Sequence, residues 1–265
     1  MKRREFLFIS TGGTVLSLAG LNPLASVAQI RYADTPIKAV AFDAFPVFDP
    51  RPILALSKTL LPEHDGFGKA WFDKIFAYTW LRTSASRYRS FDQVIADALD
   101  YTAAARSADL SSTNRNMLLD AWMMLKPWPD VMDALKQLRA QNIRLAFLSN
   151  FTEDMLRTNA RNAGIEKWFD YLSTDLAGAF KPDPRAYQLG IDKLGLPKNQ
   201  IAFCAFAAWD AAGASWFGYP TTWVNRLGQP VEQLDAQPTA QGQNISVLLE
   251  TIKQASSVKH GAGSL

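Results

Sequence analysis

Short apolar runs alternate with longer segments of helical spacing over much of the chain. Residues 37–42 (Ile-Lys-Ala-Val-Ala-Phe) are brief, mostly apolar and stop at Asp43. Such a run predicts a strand buried on both faces. Residues 143–148 repeat the pattern and stop at Ser149-Asn150, and residues 201–206 and 221–224 add two more. Residues 177–180 predict another strand exit immediately before Lys181. Val131, Ala134, Leu135 and Leu138 fall on one helical face. Thr152 is placed to cap a helix ending at Gly164, and Asp183-Pro184 offers a cap followed by proline at the first helical position. Strands alternating with helices predict an α/β fold, a doubly wound parallel sheet covered on both faces.

From Pro50 to Lys126 the alternation stops. This stretch reads as helix throughout and is rich in aromatic residues, among them Trp71, Phe72, Phe76, Trp80 and Trp122. It predicts a helical cap over residues 50–126, inserted into a core built from 36–49 and 127–254. Pro127-Trp128-Pro129 marks the return to the core. Residues 255–265, with Ser256, Ser257, Gly261, Gly263 and Ser264, predict a disordered tail. At the other end, Lys2-Arg3-Arg4 precedes an uncharged stretch from Phe6 to Leu21 and the small residues Ser26-Val27-Ala28. That layout predicts a signal peptide over residues 1–28, cleaved after Ala28. Arg3-Arg4 followed by Glu5-Phe6-Leu7 resembles a twin-arginine export signal. The location it implies is periplasmic, with no membrane attachment once the signal is removed.

Composition narrows the function. Of the formal net charge of +3, Lys2, Arg3, Arg4 and Glu5 put +2 in the first 28 residues and leave +1 for the rest. A body so near neutrality has no electrostatic footprint for nucleic acid. Cys204 is the only cysteine, which excludes an internal disulfide and a multi-thiolate zinc site. The two histidines, His64 and His260, are far apart and in no metal-ligand spacing.

In an open parallel sheet, ligands bind beyond the carboxyl ends of the strands. Asp43, Ser149, Asn150, Lys181 and Asp210 all fall near such ends. A carboxylate there can attack an electrophilic carbon or phosphorus and form a covalent intermediate. A lysine beside it keeps it ionised and oriented, and a second carboxylate can position that lysine or a water. Structural roles stand open beside these. Ser149 or Asn150 can cap or shape the turn, Tyr187 can be core, and Asp210 can cap the following helix. Asp183 reads as a cap.

Four ordered segments carry a resemblance: Phe42-Asp43-Ala44-Phe45, Leu148-Ser149-Asn150, residues 180–187 from Phe180-Lys181-Pro182 to Tyr187, and Trp209-Asp210-Ala211. They resemble the motifs of the haloacid dehalogenase superfamily, and more narrowly the type II 2-haloacid dehalogenases, over residues 37–245. The resemblance implies hydrolysis of a small 2-haloacid to a 2-hydroxyacid through an aspartyl ester, with neither a metal nor an organic cofactor. It implies Asp43, Lys181 and Asp210 as catalytic residues. Ser149, Asn150, Tyr187, Phe45, Phe72 and Trp209 are the implied substrate contacts, and a homodimer is the implied assembly.

The chain also departs from that pattern. Its first loop is one residue shorter, with Val47 where the family has a threonine. Phe72 follows the cap tryptophan Trp71, where the family has a halide-binding arginine. Ala205 and Ala207 replace a serine and an asparagine. The phosphatases of the superfamily carry a second aspartate two residues after the nucleophile, and here that residue is Phe45. Arg82, Arg87 and Arg89 are the cap's candidates for the missing cation. A hydrolase with another leaving group, and a non-catalytic periplasmic binding protein, are the alternative readings.

Overall fold

The computed structural model describes residues 36–261. The expected signal segment, residues 1–28, lies outside them. The chain runs β1 (Ala39–Phe42), α1 (Ala44–Val47), β2 (Phe48–Asp49), α2 (Arg51–Leu60), α3 (Phe67–Ser84), α4 (Phe91–Ala105) and α5 (Ser112–Asp120). It continues through β3 (Lys126–Pro127), α6 (Val131–Ala140), β4 (Arg144–Ser149), α7 (Glu153–Asn162), β5 (Phe169–Ser173) and α8 (Pro184–Leu194). It closes with β6 (Ile201–Ala205), α9 (Ala208–Phe217), β7 (Thr221–Val224), β8 (Ala240–Gly242) and α10 (Ser246–Gly261).

Six strands form one sheet in the order β5-β4-β1-β6-β7-β8, and every adjacent pair is parallel. Side chains alternate between its faces, as the pleat requires. Val40, Phe42, Leu145 and Phe147 pack on one side with Val131, Leu135 and Leu138 of α6, Leu156 of α7 and Leu248 of α10. Ala39, Ala41, Ala146 and Phe203 pack on the other side with Tyr187 and Leu189 of α8 and Ala211 and Ala214 of α9. The sheet is therefore doubly wound. Among the described residues no helix is long and apolar enough to cross a membrane.

Helices α2 to α5 are inserted between β2 and β3, a two-residue antiparallel pair that forms the neck. Their buried side chains, such as Ile53, Trp71, Ile75, Phe91 and Leu99, join the same apolar cluster as one face of the sheet. Trp128 locks the neck. Its amide donates to the Val47 carbonyl at 3.0 Å and its indole to the Phe45 carbonyl at 2.9 Å. The guanidinium groups of Arg51 and Arg226 lie 4.4 and 4.6 Å from its ring centre.

Three expectations need correction. Residues 177–180 are not a strand. The strand is β5, and a 3-10 turn at Thr174–Ala177 and left-handed Gly178 separate it from Lys181. Gly178 lacks the Cβ that makes this backbone costly for other residues, so it ends the turn instead of continuing a strand. The disordered tail expected from residue 255 is instead helical to Gly261, because α10 meets no proline or glycine before that point. Asp210 does not cap α9. Ala207 occupies that place, and Asp210 lies in the first turn, where a negative charge is favoured by the helix dipole.

Asn159, fully buried on α7, ties the cap's exit to the core. Its carbonyl accepts the Leu125 amide at 2.8 Å, and its Nδ2 donates to the Trp122 and Met155 carbonyls at 2.8 and 2.9 Å. Asn159→Ala leaves buried backbone groups unpaired and lowers stability by about 2–4 kcal/mol. Urea unfolding reads this directly, and a loss below about 0.5 kcal/mol would show that the clasp is unimportant.

Candidate active site

The register of three central strands creates the site. Phe42, the last residue of β1, lies level with Phe147 of β4 and Cys204 of β6, so the chain leaves β1 beside the final residues of both neighbours. The residue after β1 is Asp43. Its backbone amide donates to the Cys204 carbonyl at 3.0 Å, and its Oδ2 accepts the Phe45 amide at 3.2 Å. The short turn α1 thus holds the carboxylate against the strand ends. Ser149, the last residue of β4, donates its hydroxyl to Asp43 Oδ1 at 3.2 Å. Helix α7 takes its cap from Thr152, whose hydroxyl accepts the Met155 amide, so Ser149 is not that cap.

Lys181 lies between two carboxylates. Its Nζ donates to Asp43 Oδ1 at 2.9 Å and to Asp210 Oδ2 at 2.5 Å. The side chains of Lys181 and Asp210 are 1% and 2% exposed, whereas that of Asp43 is 13% exposed. Of the three charged groups, Asp43 is the one a molecule in the cavity can reach most readily. Asn150 fixes the backbone of Lys181. Its Oδ1 accepts the Lys181 amide at 3.0 Å and the Thr174 hydroxyl at 3.5 Å.

Burial works against the Lys181 ammonium, but the charges of Asp210 and Asp43 outweigh it and hold its pKa above the ordinary value. Asp210 moves the other way for a carboxylate. Burial raises it to about 6, with Asp43 adding to the rise and Lys181 and the Tyr187 hydroxyl opposing it. A carboxylate that titrates near neutrality is suited to taking up a proton during a reaction.

A small cavity of about 20 Å³ adjoins these groups, lined by Asp43, Phe45, Ser149, Asn150, Lys181, Trp209 and Asp210 from the predicted set. Two expected contacts are placed elsewhere. Tyr187 is fully buried behind Asp210 and donates its hydroxyl to Asp210 Oδ1 at 2.8 Å, so it positions that carboxylate and has no face toward the cavity. Phe72 stacks on Trp122 with ring centres 5.0 Å apart and does not line the cavity, because that ring draws it into the cap's core.

Phe76, Phe91, Phe151 and Ala207 complete the wall; Ala207 is known from the sequence only as a departure from the family pattern, and the three phenylalanines were not anticipated as contacts. Phe76 follows Phe72 by one helical turn of α3, and Phe151 adjoins Asn150; those spacings were the available signals. Phe91 carries none, since it opens a different helix. Trp209 joins core to cap, with ring centres 5.4 Å from Phe76 and 5.6 Å from Trp80. None of the three candidate cap arginines lines the cavity. Arg82 and Arg89 both bind Asp97, at 2.8 and 3.1 Å. Among the described residues no group of three or more His, Cys, Asp or Glu is placed to hold a metal ion.

The profile of the haloacid dehalogenase-like hydrolases matches residues 37–218. The chain is 35% identical over 225 residues to an (S)-2-haloacid dehalogenase of Pseudomonas sp. strain YL, covering 83% of this chain and 96% of that one. It is 35% identical over 208 residues to haloacetate dehalogenase H-2 of Moraxella sp. strain B, covering 76% and 92%. Its fold matches a crystal structure of an L-2-haloacid dehalogenase with TM-score 0.80 and 35% identity, over 83% of this chain and all of that one. It also matches an L-2-haloacid dehalogenase from Xanthobacter autotrophicus with chloropropionic acid covalently bound. That match has TM-score 0.73 and 26% identity, over 82% and 98% of the two chains.

Carbon-13 NMR of the Asp210 carboxyl is expected to show titration near pH 6. Tyr187→Phe removes a hydrogen bond that favours the charged form, so the midpoint should rise. A midpoint that stays or falls in the variant would contradict the positioning role of Tyr187.

Proposed function

Because the chain belongs to the haloacid dehalogenase-like hydrolases, we propose that it hydrolyses the carbon–halogen bond of a small 2-haloacid through an ester on Asp43. The observation that carries this reading is the Asp43–Lys181–Asp210 bridge, with its one reachable carboxylate facing an apolar cavity. Lys181 orients the Asp43 carboxylate by donating its ammonium to Oδ1 at 2.9 Å. An Asp43 oxygen forms a bond to C2 of the substrate while the carbon–halogen bond breaks, and its electron pair leaves with the halide. Water then attacks the carbonyl carbon of the ester. Asp210, with its raised affinity for protons, is the group that takes up the water's proton, and the 2-hydroxyacid and Asp43 are released.

Ser149 and Asn150 are the polar groups available to the substrate carboxylate. The Asn150 carbonyl is committed to Lys181 and Thr174, which orients its amide and leaves Nδ2 as its donor. A descendant that only binds a small acid has no use for a buried ammonium clamped between two carboxylates, which places a net negative charge beside an anionic ligand. The export reading of residues 1–28 belongs to the same proposal and makes this a periplasmic enzyme, with a homodimer as its proposed assembly.

Asp43→Asn should lower halide release from bromoacetate and 2-chloropropionate to background, and the wild type should show an Asp43 adduct by mass spectrometry after rapid quenching. Equal release by both proteins would sink the covalent mechanism. The wild-type kcat should fall as pH drops through about 6, because Asp210 then becomes protonated and no longer accepts a proton in ester hydrolysis, the step after halide departure. An acid limb near pH 4 would remove Asp210 from that step. Replacing Arg3-Arg4 with Lys-Lys should keep the full-length precursor out of the periplasmic fraction; unchanged export would exclude the twin-arginine route.

A further inference from the structure

A halide expelled by Asp43 becomes a full anion in a site of low dielectric. One donor aimed at such developing charge is worth roughly 3 kcal/mol. The nearby cations are already committed. Lys181 serves two carboxylates, Arg82 and Arg89 serve Asp97, the uncharged donors Ser149 and Asn150 are the groups offered to the substrate carboxylate, and the rest of the cavity wall beyond Asp43 and Asp210 is Ala207 and aromatic rings, the Trp209 indole among them.

The region does hold an unused donor. Three buried side-chain atoms among the described residues have no hydrogen-bond partner: Trp122 Nε1, Asp130 Oδ1 and Arg226 Nε. The last two belong to a pair that already meets at 3.0 Å beside Trp128. Trp122 stands apart from them. It is 1% exposed, and its ring lies against three rings that wall the cavity, with centroid distances of 6.2 Å to Phe45, 6.0 Å to Phe91 and 5.9 Å to Phe151. Leaving a buried N–H without an acceptor costs about 1–3 kcal/mol, and folded proteins keep few such groups. A cavity of 20 Å³ admits about one water, so a haloacid must part the walls to enter. Three of those walls, Phe45, Phe91 and Phe151, are rings packed on Trp122.

We propose that the Trp122 Nε1–H is the hydrogen-bond donor to the departing halide, reached as substrate parts the phenylalanine rings, and that the enzyme therefore favours large, weakly hydrated halides. This rests on the dehalogenase reading. The donor keeps its proton throughout: the Asp43 oxygen–carbon bond forms, the carbon–halogen bond breaks, and the halide takes the electron pair. A neutral N–H stabilises a compact anion less than a cation does. Bromide and iodide, with weaker carbon bonds and more diffuse charge, need least help.

The test is single-turnover halide release from chloro-, bromo- and iodoacetate. Wild type should release iodide and bromide far faster than chloride. Trp122→Phe keeps an aromatic ring and removes the donor, and should slow chloride release by roughly tenfold to a hundredfold while slowing iodide release less. Phe72→Arg puts a cation against the Trp122 ring and should raise chloride release and flatten the series. A readout independent of any variant's folding is the indole N–H signal of Trp122 in nitrogen-15 NMR, which should shift when bromide and glycolate, the two products of bromoacetate, are added together to the wild type. An unmoved signal, or a folded Trp122→Phe with the wild-type leaving-group series, overturns the assignment while leaving the dehalogenase reading intact. No halide and no Asp43 adduct from any substrate would instead overturn the dehalogenase reading, and this assignment with it.

Discussion

An ammonium group removed from water must be neutralised where it lies, and the site is organised around that requirement. Lys181 is almost wholly enclosed, and a lone buried charge of this kind is prohibitively costly unless it is paired and hydrogen-bonded. Asp43 supplies the pairing from the end of β1 and Asp210 from the first turn of α9, and Asn150 holds the backbone that delivers the lysine. Each carboxylate is secured in turn, Asp43 by the Phe45 amide and the Ser149 hydroxyl, Asp210 by the Tyr187 hydroxyl. The network is asymmetric in exposure. Its solvent-shielded end stores a proton-accepting carboxylate, and its partly open end presents a nucleophile.

Around this charged core the chain builds an unusually apolar enclosure. Phe45, Phe76, Phe91, Phe151 and Trp209 come from the first loop, two cap helices, the end of β4 and α9, yet they meet over one carboxylate. Rings exclude water at little cost in side-chain entropy and strengthen every electrostatic interaction they shield. The same enclosure leaves few polar groups for the remainder of a substrate, so small differences in the placement of one N–H carry large consequences for rate.

The strands and their polar endings were legible because a buried parallel strand leaves an unbroken apolar run, and Asp43 and Ser149 interrupt such runs abruptly. Lys181 was placed near the site for a partly mistaken reason, since the run before it is a turn and the true strand, β5, has polar Asp170 within it. Strand β8 carries no apolar run at all, so its pairing at the sheet edge gives no local pattern. Tyr187 illustrates a different limit. Its helical position fixes the face it occupies, but whether its hydroxyl meets ligand or carboxylate depends on α8 and α9 packing together. Phe91 belongs to the cavity only through tertiary folding of the cap, which spacing along the chain does not encode.

The segment between β5 and Lys181 is also gripped from above. Tyr88 of the cap donates its hydroxyl to Asp175 at 2.5 Å, and Thr83 accepts the Phe180 amide at 3.0 Å. The Tyr88 ring rests on Phe180 with centres 4.6 Å apart. Cap and lysine are therefore mechanically in series. Lifting the cap from this segment means breaking both hydrogen bonds and separating the two rings, so the cap's hold on the core and the seating of Lys181 share the same contacts.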